Sequence, residues 1–162
     1  MVRKLAASAA VCCAWAMVVL PAGPSAAAAG PLAVTAGPLG VTAQDPEPEP
    51  AGGLATVRTL VANTGSARSG AFTLVVTLPQ GTTPEEPFFP ERCTVSGQTV
   101  TCHYPKGLPA RNTATALVPA RIAADATGVL DDGTVTVSED AHPEAADTGT
   151  FAIAVADAVL TD

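Results

Sequence analysis

The sequence predicts an all-β fold, an immunoglobulin-like two-sheet sandwich of seven or eight strands, preceded by a signal peptide that is cleaved. Three observations carry this reading. From Leu54 onward, apolar and β-branched residues come in short alternating runs separated by Gly, Pro and Asn, and no run fits helical spacing. At the start, Arg3 and Lys4 precede an apolar stretch, Leu5 to Leu20, that stops at Pro21. Beyond that stretch the chain keeps two cysteines, Cys93 and Cys102.

The N-terminal pattern is a charged region, an apolar region and then small residues at Ala26 to Ala29, which suit a signal peptidase. Sixteen apolar-rich residues fall short of a membrane span, which needs roughly 20. Cys12 and Cys13 lie inside the apolar stretch rather than after it, so they leave with the signal peptide instead of receiving lipid. The expected organisation is a signal peptide over residues 1–29, a leader over 30–38 and one domain over 39–162. No membrane span is expected in the mature form, and the expected location is extracellular, at the cell surface without a covalent anchor.

Loss of residues 1–29 leaves 133 residues, the size of one domain, with six basic residues against 15 acidic ones and a net charge of −9. That field repels a phosphate backbone, and no stretch of sequence gathers the six bases, so nucleic acid is not an expected partner. The mature part has no tryptophan and five aromatic residues, Phe72, Phe88, Phe89, Tyr104 and Phe151. Stacking platforms for sugars or bases have little to be built from.

Along the mature chain, Ala29 to Thr35 is repeated almost unchanged as Ala36 to Thr42, a local duplication too short for a solenoid. Leu39 to Ala43 is expected as the first edge strand. Gln44 to Pro50 alternates proline with acid and favours extended, solvated backbone. Strands are expected at Leu54 to Ala62 and at Ala71 to Leu78, where adjacent Val75 and Val76 suggest burial on both faces. A Pro- and Glu-rich loop, Thr82 to Pro90, leads to a hairpin from Arg92 to Tyr104 turning at Gly97-Gln98. Counting inward from the cysteines pairs Cys93 with Cys102 at a position where an S–S bond can close, and an oxidising destination favours it. Asn112 to Ala123 is expected as a long strand in which Pro119 marks an edge or a bulge. Gly133 to Ser138 and Thr150 to Val155 complete the sandwich.

Val61-Ala62-Asn63-Thr64-Gly65, then Leu78-Pro79-Gln80-Gly81-Thr82, then the cysteine pair with Gly97 between them resemble a domain family of bacterial surface proteins. That family is the repeat domain of unknown function with Asn-x-Gly and Leu-Pro-x-Gly turns. The resemblance covers residues 39 to 156 and implies an immunoglobulin-like fold and a place at the cell surface. Its motifs are turn chemistry, in which Asn and Gly accept positive φ and Pro fixes φ ahead of a turn.

Candidate chemistry is sparse. Leu78-Pro79-Gln80-Gly81-Thr82 transposes the last two residues of a sortase signal and reads as a turn. Cys102-His103 could pair a thiol with a base only if Cys102 were free. No catalytic residue and no resident cofactor are expected. Calcium is the one metal alternative, with Asp131, Asp132, Asp140 and Asp147 expected in late loops that could converge on a hard cation. Phe88 and Phe89 form the candidate contact loop: adjacent residues in extended backbone face opposite ways, so one plugs the sandwich and the other lies on the surface, unless both merely close the end. The functional expectation is a secreted, non-catalytic interaction module for an unknown protein or cell-surface component. The alternative is a small-ligand carrier or an inhibitor of an exported enzyme.

Overall fold

The structure, a computed structural model, describes residues 38–156. The expected signal peptide, the first copy of the duplicated heptapeptide and the expected leader up to residue 37 lie outside the described residues. The described part contains ten strands and no helix: β1 (Leu39–Gln44), β2 (Glu49–Pro50), β3 (Leu54–Asn63), β4 (Phe72–Thr77), β5 (Thr82–Pro84), β6 (Cys93–Ser96), β7 (Thr99–Tyr104), β8 (Thr113–Ile122), β9 (Val129–Glu139) and β10 (His142–Ala156). One sheet runs β1-β3-β8-β5 and the other β2-β10-β9-β4-β7-β6. All pairings are antiparallel except that of β2 with β10. With β2 and β5 reduced to two and three residues, the remaining eight strands are the sandwich the sequence predicts.

Period-two alternation builds the interior. β4 turns Phe72, Leu74 and Val76 inward, against Val57 and Val61 of β3, Val118 and Ile122 of β8, and Val135 and Val137 of β9. All of these are at most 1% exposed. Val75 is only half-buried, which corrects the expectation of burial on both faces: β4 is an inner strand, but the outer face of its sheet is open. Phe72 stacks on Tyr104, ring centroids 4.5 Å apart.

Pro119 lies in β8 between β3 and β5, yet breaks no ladder. The backbone groups of Leu117, Pro119 and Ala123 point toward the β5 side, as their bonds to Phe89, Glu85 and Gly81 show. β5 has ended by Pro119, so the ring nitrogen stands where no strand asks for a donor.

The last hairpin is longer than the sequence suggests. β10 begins at His142, eight residues before the expected strand, because its first half is exposed or half-buried and carries no apolar alternation. The hairpin arm is tied down by Asp147, whose Oδ2 accepts a 2.8 Å bond from the Val41 N–H of β1. Gly133 in β9 has no room for a side chain: a Cβ there would lie 2.6 Å from the Phe151 ring.

The open face of the six-stranded sheet has a regular composition. Cross-strand register aligns Ser96, Thr99, Thr77, Thr134 and Thr150 in one row. The next row is Thr94, Thr101, Val75, Thr136 and Thr148.

Candidate contact surfaces

The segment after β5 is read from sequence as a loop but continues the sheet edge. Glu85 N–H donates to the Pro119 carbonyl at 3.0 Å, and Phe89 and Leu117 exchange both backbone bonds, at 3.1 and 2.8 Å. Side chains of a directly paired couple share a face. Phe89 therefore stands beside Leu117 on the outside, 56% exposed, and Phe88 turns into the core at 6%. Of the two arrangements the sequence leaves open, the aromatic pair takes the split one. The Glu85 carboxylate clasps Arg121 through two bonds, 2.7 Å to Nε and 2.6 Å to Nη2. That clasp holds the Glu85 carboxyl below the usual carboxylate range and raises the Arg121 guanidinium.

Phe89 and Leu117 belong to a wider surface. Register places Arg58 beside Leu117, Leu60 beside Thr115 and Thr56 beside Pro119, with Leu54 at the start of β3. Leu54, Leu117 and Phe89 are exposed, and Leu60 and Pro119 half-buried. The four strands of this sheet contain no Asp or Glu, in a chain with 15.

The Cys93–Cys102 disulfide forms across β6 and β7, with Cα atoms 4.1 Å apart. Gly97 turns the hairpin at φ 60°, and Gln98 is not among the residues with positive φ, the pattern of a type II′ turn. With Cys102 bonded and fully buried, the thiol-and-base reading of Cys102-His103 has no free thiol to act.

The hairpin also frames a cleft of about 280 Å³ lined by Pro90, Arg92, His103, Tyr104, Pro105, Lys106 and Gly107. Gly107, at φ 59°, lets the β7–β8 loop lie against the backbone of Ser69 and Gly70, where any side chain would collide. Asn63 fastens the same two loops. Its Nδ2 donates to the Ala67 and Leu108 carbonyls at 2.9 and 2.8 Å, while Oδ1 accepts from Gly65 N–H at 2.9 Å. Arg68 then reaches the Lys106 carbonyl at 3.2 Å. Bases that the sequence leaves scattered are thereby gathered at one corner. Burial pushes the Tyr104 phenol up to about 12.

The four candidate calcium carboxylates are not brought together. Asp131 and Asp132 line a cavity of about 510 Å³ with Asp45, whose Oδ1 accepts from Ala152 N–H at 2.8 Å. Asp140 accepts from Thr73 Oγ1 at 2.9 Å and faces His103 Nδ1 at 3.5 Å, and Asp147 is spent on β1. Eight residues of extended backbone, roughly 26 Å, separate Asp132 from Asp140. Among the described residues no group of three or more His, Cys, Asp or Glu is placed to hold a metal ion. The expectation of convergent loops fails because Asp131, Asp132 and Asp147 lie on the strands of one long hairpin.

No protein-family model matches the chain, and no curated protein matches it. Solved structures do. The seventh ScaB type I cohesin from Pseudobacteroides cellulosolvens matches with TM-score 0.51 at 10% identity, over 76% of this chain and 97% of that one. A type I cohesin–dockerin complex from Clostridium thermocellum gives 0.51 at 12%, over 75% and 97%. The sixth cohesin of Acetivibrio cellulolyticus scaffoldin B, solved with a Cel5 dockerin, gives 0.50 at 9%, over 73% and 99%. At such identities the likeness establishes the immunoglobulin-like β-sandwich fold.

Proposed function

We propose that this chain is a secreted, non-catalytic interaction module acting at or near the bacterial cell surface, and that it meets a protein partner through the outer face of the β1-β3-β8-β5 sheet. One observation carries the reading. Among the described residues, this face joins exposed Phe89, Leu117 and Leu54 to Arg58 on strands free of carboxylates, and the Glu85 carboxylate at its edge is neutralised by Arg121. Interface cores are depleted in charge and enriched in aromatic residues and arginine. Phe89 is held in place by its backbone pair with Leu117, so little ordering entropy is lost when it is covered. Export is supported by the charged and apolar N-terminus and by the disulfide. The resemblance to surface-protein repeat domains points the same way, as do the cohesins of like fold solved with dockerins. Carriage of a small molecule between the sheets is disfavoured, because that space is filled by Phe72, Leu74, Val100, Val118 and Ile153, each with no more than 1% exposure.

The test is capture from the culture supernatant on the immobilised protein. Phe89→Asp and Arg58→Glu should each abolish capture while leaving the melting temperature unchanged. Val129→Asp, exposed at the far end of the other sheet, should capture as before. Capture that survives both substitutions would refute this face as the contact.

A further inference from the structure

The two hydroxyl rows on the six-stranded sheet lie one register step from the basic cleft, since His103 continues the outward positions of Thr99 and Thr101 along β7. Threonine is a good strand former, which alone would account for a few of these residues. An exposed face ordinarily mixes it with Lys and Glu, however. Here nine of ten aligned positions are Thr or Ser, the tenth is Val75, and none is charged. Thr136 and Thr148 share a 3.1 Å bond and Thr94 reaches the Thr101 carbonyl at 3.5 Å; the remaining side chains stay half-buried or exposed on the open face.

We propose that this face is a second binding site, for an acidic polysaccharide: a sugar carboxylate enters the cleft between Arg92 and Lys106, and the adjoining sugar hydroxyls lie on the threonine rows. Each hydroxyl both donates and accepts, so it matches a sugar hydroxyl in either sense. Arg92 and Lys106 supply the stronger, charge-assisted bonds, and Pro90, Pro105 and Tyr104 give the cleft an apolar floor. Recognition by hydroxyls and charge requires no aromatic platform, which this chain lacks. A peptide gains less here, because the inner strands have their backbone groups paired and Val75 is the only apolar side chain in the rows. A phosphate polymer such as polyphosphate carries no hydroxyls for the threonine rows to pair with, so it would engage the two bases of the cleft and nothing else. The neighbouring acids are Asp140, which faces His103 and Thr73, Glu139, which accepts a 3.1 Å bond from Gly70 N–H, and Glu91, between Pro90 and Arg92 in the chain. Among the described residues neither Arg92 nor Lys106 is in an ion pair, which leaves both for the ligand's own carboxylate.

The experiment is affinity electrophoresis of the purified protein in gels containing polygalacturonate, pullulan, polyglutamate or polyphosphate. Polygalacturonate should retard it most. The R92A/K106A double variant should lose about tenfold in affinity, and T99V/T101V/T134V about fivefold with its melting temperature unchanged. Phe89→Asp should bind polygalacturonate normally, so this proposal and the protein-contact reading fail separately. No retardation by polygalacturonate would overturn the proposal. So would equal retardation by polyglutamate or polyphosphate, or indifference to the threonine variant, since each would reduce the site to charge alone.

Discussion

Phe88 and Phe89 stand next to each other in the chain and face different media, one in the core and one in water. Phe88→Ala should destabilise the domain by about 3 to 5 kcal/mol in denaturant titration, and Phe89→Ala by no more than about 0.5 kcal/mol. That one of the pair points outward follows from extended backbone alone. Which one does so is decided by the bridge to Leu117, a partner 28 positions away that no local pattern names. Tyr104 offers a second check, because it is the only tyrosine. Its folded-state phenol is raised by burial from 10.0 to about 12, so the fold favours the neutral form. The resulting stability is complete below the ordinary value and is lost as pH rises through the folded one. Absorbance of the phenolate should therefore titrate near 12 in the folded protein, and urea-unfolded protein should titrate near the ordinary value.

The β6–β7 hairpin was the most legible element, since two cysteines and a Gly-Gln turn define one register between them. Closing so short a ring stabilises the fold by about 2.5 to 3 kcal/mol on a chain-entropy account. Thermal melts with and without reductant should differ by that amount, with the hairpin edge the first part to lose amide protection. β10 was the least legible element. From His142 to Gly149 its side chains are exposed or half-buried, so hydrophobic alternation is missing and polar spacing passes for a loop. The candidate calcium site rested on that misreading, because carboxylates assigned to converging loops are strung along one hairpin instead. A turn can be read from the residues that make it, whereas a strand held by its neighbours must be read from them.

Across the whole molecule, charge is arranged in a way that composition conceals. Arg92 and Lys106 are separated in sequence by the hairpin and line one cleft because the Cys93–Cys102 register folds the two ends of that hairpin together. Sandwich and core were legible from alternation, but the Lys106 side of this corner is set by Gly107 and Asn63, which dock the β7–β8 loop onto the β3–β4 loop. The ends of the domain are also placed with consequence. β1 enters beside Thr64, whose N–H donates to the Pro38 carbonyl, and β10 leaves at the other end of the sandwich, where Val155 N–H meets the Gly128 carbonyl. Tension applied between Leu39 and Ala156 thus runs along the strands. The six register positions that join β1 to β3 are loaded together in shear rather than opened one after another, with the Asp147 clasp on Val41 sharing the force. Pulled by its ends in a single-molecule force experiment, the domain should hold to a higher force than when pulled across the β1–β3 ladder, and Asp147→Ala should lower that force; a module strung between two attachments would yield last where it is tethered.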